Sequence, residues 1–297
     1  VGSIYLFGDD TYFMTFSIVA TDGVDVGVAV ASKFVAVGAF VPHGEAGVGA
    51  VATQCYANPR LGKAVLALKR QELTAREAVE KALAQDPGKE QRQIGAVDIR
   101  GNAYGFTGGE CPEHASHVVG SGFVASGNIL AGPQVVEAMA RAFETQRGEL
   151  VDKLLAALEA GEKAGGDRRG KQSAAVLVLR PNGGYLGLSD VYVDIRVDDH
   201  PEPVAELRRI FKIWELALLQ RDNPSDVVVK KDVAAEVQSI LRRLGFYRGD
   251  VTGTWDEEIE KAFREWAGYE NFENKIRNDD KIWGSVYRYL KELSRRL

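Results

Sequence analysis

The chain has 297 residues, with 37 basic and 42 acidic side chains and 45% hydrophobic content, so roughly two soluble domains are expected. A formal charge of −5 leaves no basic excess to neutralise phosphates, which excludes an ordinary nucleic-acid binder. No apolar run approaches the roughly 20 residues that span a bilayer, and the two cysteines, Cys55 and Cys111, are too few for a disulfide framework.

Residues 1–13 read as a leader or an added extension. They carry neither the positive start nor the small-residue cleavage site of a secretory signal, and a cytoplasmic location is expected. From Met14 onward, 15–21 and 25–32 are β-rich runs separated by Asp22-Gly23, a hairpin signal. A third strand is expected at 47–53, then helices at 61–70 and 74–85. The second helix opens on a Thr-x-x-Glu capping box, Thr74 and Glu77, and stops at Asp86-Pro87-Gly88. Strands return at 93–99, 103–107 and 123–127, helices at 133–145 and 149–162, and a last strand at 173–179. This order is not a regular βαβ alternation, so an α+β layered fold is expected rather than a Rossmann sheet. No GxGxxG opens a helix after a strand and no P-loop is present.

Composition changes near residue 200. All four tryptophans lie beyond it, and 201–297 hold 12 of the 26 aromatics with 18 basic against 18 acidic residues. Helices are expected at 203–220, 233–244, 256–267 and 281–293. The domain plan is therefore 14–200, a connecting helix and linker over 201–229, and a small helical domain over 230–297.

Several runs carry a family resemblance: Met14-Thr-Phe-Ser-Ile-Val-Ala, Gly27-Val-Ala-Val-Ala-Ser-Lys-Phe, Ala52-Thr-Gln-Cys-Tyr-Ala-Asn-Pro and Gly127-Asn-Ile-Leu-Ala-Gly-Pro. Gly165-Gly-Asp-Arg-Arg-Gly-Lys-Gln-Ser and Tyr192-Val-Asp-Ile-Arg-Val-Asp-Asp-His-Pro complete the set. Over about 14–220 the chain resembles the domain of unknown function 1028 family, placed among the N-terminal-nucleophile (Ntn) hydrolase-like proteins. The resemblance implies a four-layer αββα sandwich. In the tail, Val237-Gln238-x-x-Leu241-x-x-Leu244-Gly245-Phe246-Tyr247-x-Gly249, Gly253-x-Trp255 and Ala262-Phe263 resemble a small peptidoglycan-binding-like helical module. Such modules use this pattern mostly to build their own core.

Removal of Met14 would leave Thr15 with a hydroxyl beside a free α-amine, whose pKa near 7.7–8.0 suits it as a general base. Thr–amine is an activated-nucleophile pairing for acyl transfer on a small amide or peptide-like substrate. The bland reading makes Thr15 a β-branched residue opening a strand. With the preceding residues attached, Thr15 has no free amine. Lys33 is a candidate for positive charge near the nucleophile, against a solvated strand-end lysine. The strand at 47–53 lacks the lysine of better-known threonine hydrolases, a departure that counts against proteasome-like chemistry.

Asn128, between a strand and a helix start, is the candidate oxyanion donor, against a turn residue satisfying its own loop. His117 is a candidate substrate contact. Asp167, Arg168 and Arg169 form a loop whose guanidinium forks suit a carboxylate, against a solvated loop. Cys111, Glu113, His114 and His117 come nearest to metal-ligand spacing but lack a fourth strong ligand, so neither metal nor other cofactor is expected. The rival reading is a non-catalytic binding or assembly protein on the same fold, with peptidoglycan fragments as tail ligands. A homo-oligomer is the expected assembly, without nucleic-acid or membrane partners.

Overall fold

The computed structural model describes residues 15–112 and 114–295. The leader, Met14 and Glu113 of the metal reading lie outside the described residues. The chain divides into two compact units between Ile210 and Phe211.

The first unit opens with β1 (Thr15–Thr21) and β2 (Val26–Ser32), antiparallel and fully buried. The Asp22-Gly23 turn joins them: Gly23 has φ +92°, and Asp22 Oδ1 accepts the N–H groups of Val24 and Asp25. Strands β3 (Pro42–Glu45) and β4 (Gly49–Cys55) follow, then helices α1 (Pro59–Lys69) and α2 (Ala75–Leu83). The capping box forms as expected, with Thr74 Oγ1 accepting from Glu77 N and Glu77 Oε2 accepting from Thr74 N.

Strands β5 (Arg92–Asp98), β6 (Ala103–Thr107), β7 (Ser116–Gly120) and β8 (Phe123–Asn128) come next. Helices α3 (Gln134–Thr145) and α4 (Leu150–Lys163), strands β9 (Ser173–Leu179) and β10 (Val191–Val197), and helix α5 (Pro203–Leu218) complete the run to the division, which falls inside α5. Four of these elements go beyond the sequence expectation or fall outside it: β3, β7 and β10 are additional strands, and β4 starts and ends two residues later than the expected run.

Two antiparallel sheets result. One has six strands in the order β10-β9-β2-β1-β8-β7; the other has four in the order β3-β4-β5-β6. Strands β1, β2 and β8 pack on β4, β3 and β5 of the second sheet. Helices α3 and α4 cover the six-stranded sheet, and α1 and α2 cover the four-stranded one. The α+β class is thus observed.

Between the sheets, Val19, Val28, Val30, Val97, Val124 and Ala175 form an apolar cluster with two-sided cover, which explains why these strands read as near-continuous small apolar runs. Glycine sets the spacing there: a Cβ on Gly95 would lie 3.0 Å from Val19 Cγ1. Outside the sheets, Val51, Leu61, Val65, Val79 and Ile94 form the α1–α2 core.

The second unit holds β11 (Val227–Val229), α6 (Lys230–Arg243), α7 (Glu257–Tyr269), β12 (Lys281–Trp283) and α8 (Gly284–Ser294). The helices were expected. The antiparallel β11–β12 pair, three residues a side, was not. Trp266, Phe263, Phe272, Ile259, Leu241 and Leu290 form its core. Gln238 is fully buried and stitches the following loop, donating to Thr252 Oγ1 and Thr254 O and accepting from Gly253 N at 2.9 Å. The Val237-Gln238 pattern therefore builds structure here. No described helix is long and apolar enough to cross a membrane.

Candidate functional site

Side chains alternate along a strand, so partners directly opposite in a ladder share a face. Thr15 pairs with Ser32 on one side and Asn128 on the other; Ser17 pairs with Ser126, and Ser126 with His117. One end of the inter-sheet layer is consequently polar, while the other end is the valine cluster.

Amides connect that polar end. Ser17 Oγ donates to Gln54 Oε1 at 2.7 Å, and Gln54 Nε2 donates to Gln93 Oε1 at 2.8 Å. Gln93 Nε2 donates to Thr107 Oγ1 at 3.0 Å and reaches the carbonyls of Ser116 and Gly127. Asn128 Nδ2 donates to the same Gln93 oxygen at 3.1 Å. Gln54 and Gln93 are both completely buried.

Thr107 Oγ1 and His117 Nδ1 lie 2.8 Å apart. With one hydrogen and two acceptor positions, the Thr107 hydroxyl serves either tautomer of the neutral imidazole while accepting from Gln93. Burial holds His117 below its ordinary pKa and favours this neutral ring.

Thr15 is fully buried, with its Oγ1 3.3 Å from Ser32 Oγ. Asn128 is buried too, and its Oδ1 has no hydrogen-bond partner among the described residues; nor has Ser126 Oγ. An orphaned buried acceptor costs roughly 1–3 kcal/mol and calls for an explanation in its surroundings.

Beyond Ser32, the Lys33 N–H donates to Asp167 Oδ2 at 2.8 Å, while the lysine side chain is exposed. Asp167 bridges to Leu130, two residues past Asn128, and takes a two-point contact from Arg169 through Nε and Nη2. Arg168 is exposed. A cavity of about 90 Å³ lies beside Ser32 and Asp167, walled by Phe16, Gly166 and Gly170. That is room for roughly three waters.

The structure thus gathers Thr15, Asn128, Asp167 and the Lys33 backbone at one end of β1, β2 and β8. It ties His117 to the same end through Thr107 and Gln93. No group of three His, Cys, Asp or Glu among the described residues is arranged to hold a metal. Sequence reasoning missed Ser17, Gln54 and Gln93. Their signal was a polar residue at an inward position of an otherwise apolar strand.

Fold and site together define a class: two stacked antiparallel sheets flanked by helix pairs, with one end of the interior polar and closed around a threonine. The model described as "Family of unknown function (DUF1028)" matches residues 15–207, and the chain belongs to that family. A second model, "Putative peptidoglycan binding domain", matches residues 217–290. A similar solved structure is that of protein SPO2555 from Silicibacter pomeroyi, also of the DUF1028 family. It is 35% identical with a TM-score of 0.62, over 68% of this chain and 86% of that one. No curated protein matches the chain.

Proposed function

We propose that the first unit is a four-layer αββα sandwich of the Ntn-hydrolase type, acting as an amidohydrolase through Thr15. The layering is supported by the two stacked sheets and the helix pair packed on each. The observation that carries the activity is the placement of Thr15 between Ser32 and Asn128, where the buried Asn128 Oδ1 lacks a partner among the described residues. Once Met14 is removed, the Thr15 α-amine takes the hydroxyl proton as Oγ attacks an amide carbonyl. The protonated amine then gives that proton to the leaving amine, and water releases the acyl group from the threonine ester.

Asn128 fits this chemistry as an acceptor for an N–H of the free α-amine, and of the ammonium formed as Oγ attacks, because its Nδ2 is committed to Gln93. Arg168 is the exposed guanidinium left to meet a substrate carboxylate, since Arg169 is engaged by Asp167. Lys33 adds positive charge at the mouth, and His117 orients the far end of the amide chain.

The test is N-terminal sequencing of the untagged native protein, followed by turnover of small amides by Thr15→Ala and Thr15→Ser. A chain starting at Thr15, with turnover lost by about 10³-fold or more in Thr15→Ala and retained in part by Thr15→Ser, is expected. A native chain that keeps residues ahead of Thr15, or turnover indifferent to Thr15→Ala, overturns the reading. The peptidoglycan-binding match over 217–290 favours a second reading for the tail, in which it holds cell-wall fragments.

A further inference from the structure

Cys55 ends β4, and Cys111 lies in the loop after β6; β5 runs between those two strands. The ladder places Cys55 opposite Arg92. On the other side of β5, the Gly108 N–H donates to Arg92 O at 2.9 Å, and Cys111 N–H donates to Gly108 O at 3.1 Å. The loop is held down further by Glu110 N–H on Glu90 O at 2.8 Å and Gly109 N–H on Glu90 Oε2 at 3.1 Å. Only glycine allows this approach, since a Cβ on Gly108 would stand 2.2 Å from Glu90 O.

Cys55 itself has φ +71°, the left-handed region that costs a non-glycine residue roughly 1–2 kcal/mol. The Cys55 and Cys111 thiols lie close enough to shift each other's ionisation. Cys55 is buried and Cys111 half-buried, so only one of the two thiols is open to a small reagent. The neighbouring Cys111 thiol, with help from the Arg92 charge, holds the Cys55 thiol below its ordinary range, while Cys55 and burial push Cys111 up.

We propose that Cys55 and Cys111 are a reversible thiol–disulfide pair that exchanges with low-molecular-weight disulfides. In the first exchange the reagent's S–S bond breaks, one half joins Cys111, and the other leaves as a thiol. The Cys55 thiolate then attacks the Cys111 sulfur and expels the second half as a thiol. The two protein thiols are oxidised by two electrons, the reagent disulfide is reduced by two, and both protons end on the released thiols. The bond joins β4 to the loop after β6 across β5. It sits one residue from Gln54, so the modification bears on the buried amide chain.

The experiment uses the full reduced chain with oxidised glutathione, acid quenching, intact mass, thiol counting and peptide mapping. Wild type is expected to lose both thiols together, gain a Cys55–Cys111 peptide and keep no glutathione; dithiothreitol then restores both thiols. Cys55→Ser is expected to stop at a stable glutathione adduct on Cys111. In Cys111→Ser, the buried Cys55 is expected to stay unmodified, and this variant changes the less buried residue should Cys55→Ser fail to fold. Wild type that retains glutathione, keeps both thiols free, or links two chains overturns the proposal.

Discussion

The Gln93 side chain takes part in five hydrogen bonds: it accepts from Gln54 and Asn128 and donates toward Thr107, Ser116 O and Gly127 O. Gln93→Leu keeps the approximate volume but strands those partners in a dry interior. A loss of about 3 kcal/mol in urea unfolding is expected, more than one net hydrogen bond is worth, because each abandoned polar group carries its own desolvation cost. Asp86 is a second case in which environment decides behaviour. Arg92 grips its carboxylate through Nε and Nη2, Asn58 Nδ2 and Gly88 N–H add to it, and its pKa is held down at about 2. In the unfolded chain the group takes a proton near ~3.9. Its stabilising contribution is therefore complete above about pH 4 and drains away as pH falls toward about 2. Asp86→Asn should lower the urea midpoint at neutral pH and flatten its fall between roughly pH 4 and pH 2.

Among the elements, those with a strong period or a cap were readable. The Thr74–Glu77 capping box is one, and Thr74→Ala should cost about 1 kcal/mol, seen as a lower thermal midpoint. Strand β3, Pro-His-Gly-Glu, has no alternation to read; it exists because β4 offers it a ladder and α1 packs over it. The three-residue strands β11 and β12 are likewise products of their pairing. The polar end of the interior was hidden for a related reason. A serine or glutamine within a strand ordinarily marks a solvent face, and only the stacking of the second sheet turns Ser17, Gln54 and Gln93 inward. Thr15 was singled out through the family resemblance and Asn128 through its place between a strand and a helix start, but that Asn128 Oδ1 has no partner among the described residues was not legible, since it depends on how Gln93 orients the amide.

For the whole molecule, the division falls between Ile210 and Phe211, and each unit closes its own core with its own residue types. Valine and alanine fill the narrow space between the sheets, and aromatic rings fill the helical unit, where Phe263, Trp266 and Phe272 stack edge and tilt at 5.4 and 6.1 Å. If the tail reads cell wall, the full chain should sediment with purified sacculi and a chain truncated after Ile210 should stay in the supernatant. Equal recovery of both in the supernatant would leave residues 211–297 as a packing module.

The six-strand order has a consequence in time. Strand β1 is made early yet ends up in the interior of its sheet, between β2 and β8, so one of its edges must wait for residues made much later. From Thr15 to Asn128 the ribosome must add 113 residues, which at about 5–20 residues per second takes roughly 6–23 s. Thr15 finishes with no exposed surface. On the proposed mechanism, trimming back to Thr15 is expected within that interval, before β8 closes the edge. On that reading, translation speed is expected to shift the fraction of chains that carries a free threonine.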